Sequence, residues 1–395
     1  MPEPKRHTFT VGGGDSAPEA SAGKSRRQRI LWVLRFVLTL LVFLLALEWM
    51  SLGLRLFGKD KLQDLISLID NPYLALFLGI LATSIIQSSS TVTTMIVGLV
   101  ANGTFNIASA TPLIMGANIG TSVTCMIVAM GLIGQRKEFG RGVTTAALHG
   151  IFNILVVAIL FPLELTTHAL SRLSDSLASL FYQGSEVVPF SPGGLLDITT
   201  RPLAAFFVEL TSSTGFPHGN PYIVLPLGLV ALFLALRLLI TSFQGLVEGQ
   251  VNSRMNQYLF GHPRQAFFTG LITTTVLQSS SVTTSLLVPL TSGTHIALPR
   301  IFAFLIGANM GTTVTALLAA IFLGPSSEFA LAIAFTHLLF NCIGGLLLYP
   351  MPLIRKLPIW LASKLGKSAR DHRFIPVIYM VIIYFLLPGI LIFAT

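Results

Sequence analysis

The chain has 395 residues, of which 53% are hydrophobic and only 10% are charged, with a formal net charge of +9. Soluble globular domains carry about 25% charged residues, so that class is excluded, and apolar runs of membrane-spanning length recur along the whole chain. The positive charge gathers in the N-terminal segment and in short stretches between apolar runs, which fits cytoplasmic loops and not a nucleic-acid surface.

Residues 1–28 are polar, rich in Gly, Ser and Ala, and lead into a basic run ending at Arg29; they read as a disordered cytoplasmic tail. Gly23-Lys24-Ser25 ends like a phosphate loop, but Pro18 stands in place of its first Gly and no strand precedes it, so nucleotide binding is rejected. Full spans are predicted at 30–57, 107–134, 141–163, 219–247, 297–324, 327–350 and 374–394. The run Ile30–Leu47 exceeds a signal-peptide core and lacks a cleavage site, so it reads as a retained helix. Segments 73–102 and 264–293 each carry a polar word near their centre. One helix of that size would reach about 45 Å, too long for one span and too short for two. Each is therefore predicted to be a re-entrant hairpin of two half-helices. The segment 164–218 is expected outside, with an amphipathic stretch at 166–183 resting at the interface, and Arg355–Arg373 is expected to be a basic inner connector. Cys125 and Cys342 fall in different helices and read as small buried residues, neither a disulfide nor a metal site.

Loop charges set the orientation. The basic tail lies inside, and Gln135-Arg136-Lys137-Glu138-Phe139-Gly140-Arg141 forms an inner loop after the first hairpin, which opens outside. The second hairpin follows Arg254, His262 and Arg264 and opens inside. An odd number of full crossings per unit inverts one unit relative to the other. The expected fold is an all-α polytopic membrane protein. It divides into the tail 1–28, a first repeat 29–200 with outer loop 164–200, a second repeat 201–373, and a final helix 374–395 that ends outside.

The repeat shows as words. Gln-Ser-Ser-Ser occurs at Gln87–Ser90 and Gln278–Ser281, and Gly-Ala-Asn-x-Gly-Thr at Gly116–Thr121 and Gly307–Thr312, both displaced by 191 residues. His-x-x-Phe-Asn occurs at His149–Asn153 and His337–Asn341, displaced by 188. Polar groups at membrane depth must bind something or be satisfied by a neighbour. His149 with Asn153 and His337 with Asn341 are i, i+4 pairs, read as gating or packing contacts. Gly116, Gly120, Gly307 and Gly311 are expected to allow close packing or unwinding. A lone Thr such as Thr145 is expected to bond its own i−4 carbonyl. Inverted repeats with broken helices are the pattern of secondary transporters, and no nucleotide motif or soluble catalytic domain accompanies them, so an ion gradient is the expected driving force.

These words resemble the type II sodium–phosphate cotransporter family. The resemblance covers most of 30–395 and rests on Ile86–Thr91, Ile114–Thr124, Glu248-Gly249-Gln250-Val251, Val276–Val282, Gly307–Thr313 and His337-x-x-Phe340-Asn341 with Tyr349-Pro350. It implies a non-enzymatic symporter of the plasma (inner) membrane that imports inorganic phosphate by alternating access, with co-transported sodium and no organic cofactor. It implies a phosphate site made of Gln87, Ser88, Ser89, Ser90, Gln278, Ser279, Ser280 and Ser281. The expected partners are phosphate, Na+ and the lipid bilayer, not nucleic acid, and a homodimer is compatible. Animal members have a long cysteine-bearing outer loop and a further last helix; this chain is shorter in both places, as a bacterial form would be. Electrogenic members carry Asp where this chain has Gln135, a position linked in the family to one sodium ion, which leaves the ion stoichiometry open.

No Lys, Arg, Asp or Glu lies between Asn71 and Gln135, and Arg300 is the one charge between Arg264 and Glu328. The polar centre is formally neutral, so an anion there needs compensation from helix N-termini, hydroxyl and amide donors, and bound cations. Thr91, Thr94, Asn118, Thr121, Thr283, Thr284, Asn309 and Thr312 supply the oxygens that suit Na+. For Asn118 and Asn309, helix–helix hydrogen bonding is the equal alternative. The runner-up function is the same architecture carrying another oxyanion or exporting phosphate. An intramembrane serine hydrolase using His149 or His337 is a remote alternative, because duplication implies one shared site and not one Ser–His pair.

Overall fold

The structure, a computed structural model, describes residues 71–101, 105–181, 259–293, 296–322 and 327–394, with scattered positions between 27 and 52 and between 209 and 242. The tail before residue 27, most of the outer segment after 181 and much of the expected span 219–247 lie outside the described residues. Among the described residues every regular element is helical.

A short apolar helix, α1, covers Ile30–Val42. Then come α2 (Pro72–Ile86) and α3 (Ser89–Ala101), the two arms of the first polar word. Next are α4 (Ile107–Gly120) and α5 (Ser122–Met130), a single apolar stretch with one bend at Thr121. They are followed by α6 (Arg136–Thr167) and α7 (Ala169–Phe181). The second set is α8 (Pro263–Leu277), α9 (Ser280–Gly293), α10 (Leu298–Phe322) and α11 (Ser327–Leu348). The chain closes with α12 (Pro352–Asp371), α13 (Ile375–Val381) and α14 (Leu387–Ala394). Five stretches among the described residues are long and apolar enough to cross a membrane: Ile107–Met130, Arg136–Thr167, Leu298–Leu318, Glu328–Leu348 and Ile375–Ile392.

The repeat extends to element boundaries. Shifting α2 by 191 residues gives the limits of α8, and the start of α3 becomes the start of α9. Helix α2 packs on α4, and α8 on α10, through glycines that let backbones touch. A Cβ on Gly116 would lie 2.9 Å from the amide nitrogen of Ile80, and one on Gly307 would lie 3.0 Å from that of Leu271, the equivalent residue. Gly120 meets Thr83 and Gly311 meets Thr274 in the same way.

The helix ends define the geometry. The starts of α2 and α4 share a cavity of about 220 Å³ with the end of α6, lined by Asn71, Ala75, Asn106, Pro112, Glu164 and His168. After the α3 arm the chain has therefore returned to the level at which α2 began. At the other end of α6, Arg141 donates to the Ser292 carbonyl (3.2 Å) and Thr145 meets Thr291 (2.8 Å). The close of α9 thus lies at the opposite end of α6 from the cavity. The close of α11 meets the start of α10, where Tyr349 Oη donates to the Pro299 carbonyl (3.0 Å).

Three features depart from the sequence expectation. The segment expected as the inner loop Gln135–Arg141 is mostly the first turn of α6, nucleated as Phe139 N–H donates to the Gln135 carbonyl (2.8 Å). The connector after 351 is a full helix, α12, opened by Pro352 in its first turn and buried along Pro358, Ala362, Gly366 and Ala369, with Gly366 against Gly140 and Thr144 of α6. The last span is interrupted by a π turn at Ile382–Leu386, one turn ahead of Pro388. Pro388 has no N–H for the carbonyl four residues back, and the wider turn accommodates it.

Replacing Gly116 or Gly307 by Val should force the paired helices apart. A loss of about 1–3 kcal/mol is expected, read as a lower unfolding midpoint of the purified protein in detergent. Gly98→Ala, where nothing lies within 4 Å of the added carbon, is the control and should leave the midpoint unchanged.

Candidate functional site

The two polar words break their helices in the same unusual way. Gln87 ends α2 with φ 58° and ψ 22°, and Gln278 ends α8 with φ 52° and ψ 27°, both in the left-handed region. Such a conformation costs a non-glycine residue about 1–3 kcal/mol, so something local must hold it. At Gln87 the backbone N–H bonds to the Thr83 carbonyl (2.8 Å) and Nε2 donates to the Ser84 carbonyl. Its Oε1 accepts from Thr124 Oγ1 of α5 (2.6 Å). The side chain both closes its own helix and ties the turn to its neighbour.

The next residue of each word caps the following helix. Ser88 Oγ accepts from the Thr91 amide (3.2 Å) and bonds Thr91 Oγ1 (2.8 Å), while Ser279 Oγ accepts from the Val282 amide (3.3 Å). Backbone bonding starts only with Val92 N–H to the Ser88 carbonyl and Thr283 N–H to the Ser279 carbonyl. The amides of Ser89, Ser90, Ser280 and Ser281 precede those bonds and have no carbonyl within their own helix.

The two turns meet. Ser89 Oγ lies 3.3 Å from Ser280 Oγ, and Ser90 Oγ donates to the Gln278 carbonyl (3.2 Å). Two helix N-termini, each carrying about half a positive charge, converge on this serine pair. Gln87, Ser89, Ser280 and Ser281 are buried, and Ser281 Oγ has no hydrogen-bond partner among the described residues. The same holds for the equivalent hydroxyls of Thr83 and Thr274.

The oxygen-bearing candidates divide into groups. Thr121 and Thr312 each donate to the carbonyl four residues back, Ala117 (2.9 Å) and Ala308 (3.2 Å). Thr283 donates to Ser279 (3.0 Å) and Thr284 to Ser280 (2.7 Å). Thr91 is tied to Ser88, and Thr94 is exposed. Asn118 and Asn309 sit in a buried network between the repeats. Asn309 Oδ1 accepts from His149 Nε2 (2.7 Å), and Asn309 Nδ2 donates to Asn153 Oδ1 (2.8 Å). Asn118 Oδ1 faces His337 Nε2 (3.3 Å) and Asn341 Nδ2 (3.2 Å). Asn153 Nδ2 closes the chain on the Asn118 carbonyl (2.8 Å). The His and Asn of each repeat hold the Gly-Ala-Asn word of the other.

Some partners were not expected. Thr145 does not bond its own helix; its hydroxyl meets Thr291 across the repeat boundary, because α9 ends beside it. Cys125 is buried and bonds Thr284 Oγ1 (2.8 Å), whereas Cys342 is half-buried beside a groove. Glu164 is a fully buried carboxylate at the end of α6. It caps α7 by accepting from the Leu170 amide (2.7 Å) and from the Ser171 amide and hydroxyl. Helix α7 then reaches α4 through Ser171 and Thr111 (3.0 Å) and α11 through Ser174 and Thr336 (2.8 Å). The amphipathic pattern marked α7, but nothing in it marked Glu164 as its cap.

Duplicated half-helices around a buried, chargeless polar centre define a multi-pass helical membrane protein of the transporter class. The chain belongs to the Na+/Pi-cotransporter family, whose model matches residues 42–182 and 231–349. It is 32% identical to sodium-dependent phosphate transport protein 2A of Mus musculus, over 89% of this chain and 66% of that protein. It is 30% identical to sodium-dependent phosphate transport protein 2B of Homo sapiens, over 91% of this chain and 64% of that protein. Protein 2C of Rattus norvegicus is 30% identical over 71% of this chain and 58% of its own length. The chain thus spans slightly less than two thirds of the mouse and human relatives. No solved structure matches it.

Asn309→Ala should leave His149 Nε2 and Asn153 Oδ1 buried without this partner. A loss of about 1–3 kcal/mol is expected, seen as a lowered unfolding midpoint, and Asn309→Asp should not restore it, since a carboxylate offers Asn153 no amide donor.

Proposed function

We propose that the chain is a sodium-coupled symporter that imports inorganic phosphate by alternating access. The observation that carries this is the meeting of the two polar turns at Ser89 and Ser280, 3.3 Å apart. An anion bridging the turns would receive hydroxyl donors from both words and amide donors from two helix starts. Gln87, Ser88, Ser89, Ser90, Gln278, Ser279, Ser280 and Ser281 form its site. At 3.3 Å the two hydroxyls bond each other, so phosphate takes the place of that bond as it enters.

The centre has no formal charge, and an uncompensated buried ion costs several kcal/mol. Two helix N-termini together offset about one unit of charge; co-bound sodium offsets the rest. Thr121, Thr283, Thr284 and Thr312 send their protons to carbonyls of their own helices. Their remaining lone pairs can face a hard cation, with one of those on Thr284 already taken by Cys125 Sγ. Each ion then strengthens binding of the other by the same factor. The carrier rearranges readily when empty or fully loaded.

The moving parts are two inverted repeats, 29–200 and 201–373, with re-entrant hairpins at 73–102 and 264–293 and a final helix 374–395. In support, the α2–α3 arm begins and ends near the cavity at one end of α6, whereas α9 ends against the other end of α6. The N-terminal side, the basic segment after Gln135 and the basic helix α12 face the cytoplasm, a reading the positive-inside rule supports, and the final helix leads outward.

The test is transport by the purified full-length chain in proteoliposomes. A sodium gradient should drive saturable uptake of radiolabelled phosphate, and potassium or proton gradients alone should not. Ser89→Ala and Ser280→Ala each remove a donor to an anion, worth about tenfold to a hundredfold in rate. Uptake at the wild-type rate in both variants would remove the turns from the site.

A further inference from the structure

The second repeat carries an apolar groove with a basic residue in its lining. The groove is a cavity of about 390 Å³ between α8, α10 and α11, walled by Phe267, Phe268, Ile306, Met310 and Leu346 and reaching Tyr349, with Arg264 at its rim. No Asp or Glu is among its lining residues.

The repeat itself shows how the space arises. The equivalent residues of the first repeat, displaced by 191 on α2 and α4 and by 188 on α6, are Leu76, Phe77, Met115, Ile119, Ala158 and Phe161. Leu76, Met115, Ile119 and Phe161 are buried, Phe77 is half-buried and Ala158 is exposed. Tyr73 closes that end by an edge-to-face contact with Phe161, ring centroids 5.3 Å apart. In the second repeat Arg264 stands in place of Tyr73, and Gly345 in place of Val157. A Cβ on Gly345 would stand 2.9 Å from Ile306 Cγ2, so the glycine lets α11 lie close against α10 at the floor of the groove. Phe268 and Leu346 are exposed along the groove.

A second cation stands at the same end. The Arg355 guanidinium lies 5.0 Å from the centre of the Tyr349 ring. From there α12 presents Leu353, Leu357 and Trp360, all exposed and at i, i+4, i+7 spacing, with Lys364 Nζ 5.3 Å from the Trp360 ring. Lys356, Lys367 and Arg370 lie on the same helix. An exposed apolar stripe edged by lysine and arginine belongs at a membrane surface carrying negative charge.

We propose that this groove binds one anionic phospholipid, with an acyl chain between α8 and α11 and its phosphate at Arg264 and Arg355. An apolar slot lined by one guanidinium, with a second stacked on its Tyr349, matches a hydrocarbon chain joined to a phosphodiester.

Native mass spectrometry of the full-length chain in detergent tests this with phosphatidylglycerol and phosphatidylcholine of identical acyl chains. Phosphatidylglycerol should be retained more tightly, with each arginine contributing about fivefold. Arg264 is exposed in the first turn of α8, so Arg264→Gln should fold normally and weaken phosphatidylglycerol about fivefold while leaving phosphatidylcholine unchanged. Cys342→Leu on the groove wall should weaken both lipids by narrowing the slot. Equal retention of the two lipids by the wild type, or unchanged phosphatidylglycerol binding in Arg264→Gln, overturns the proposal. So does displacement of the lipid by inorganic phosphate, which would give the rim to the free ion.

Discussion

A helix broken inside an apolar slab frees backbone groups that no water can satisfy, and the centre of this protein is built around that constraint. Each break must end one helix, start another and leave nothing unpaired that is not meant to bind. Gln87 ends α2 with its own amide and carboxamide, and the serine after it caps α3. What remains is a small set of amides and hydroxyls around Ser89 and Ser280, where the two breaks face each other. That gathering of donors in one place is what the proposed anion site rests on.

Within each repeat, glycines bring backbone against backbone along α2–α4 and α8–α10, and a close-packed surface of that sort resists sliding. Between repeats, apolar packing such as Phe152 on Phe302 and Gly344 on Val156 surrounds a set of hydrogen bonds: Ser89 with Ser280, Thr145 with Thr291, Asn309 with His149 and Asn153, Asn118 with His337 and Asn341. A typical hydrogen bond nets about 1 kcal/mol, so such links can be exchanged for others at small cost. Exchangeable polar contacts at the centre of that seam suit the two arrangements that the proposed alternating access requires.

Much of this was legible from the residues. Exact displacement by 191 located both breaks, and element limits follow that displacement. The spans at 107–134, 297–324 and 327–350 are there as helices with slightly different ends. What sequence could not show is which groups face each other. Gln is a poor candidate for a left-handed turn, so its φ near 55° had no local signal. The crossing of each His-x-x-x-Asn face onto the other repeat's asparagine depends on how the two units dock. Thr145 was expected to bond its own helix for the same reason: only docking brings Thr291 beside it. Helix α12 was hidden because its charge reads as a loop, while its Pro358, Ala362, Gly366 and Ala369 face is made of residues too small to register as an apolar stripe.

The central physical claim is that a neutral pocket cannot retain a dehydrated anion unless cations share it. Equilibrium binding of phosphate to the purified carrier in detergent tests this most directly, titrated in sodium chloride and in choline chloride at equal ionic strength. Phosphate affinity should rise steeply with sodium and be too weak to measure without it. Tight, saturable phosphate binding in sodium-free buffer would contradict the account.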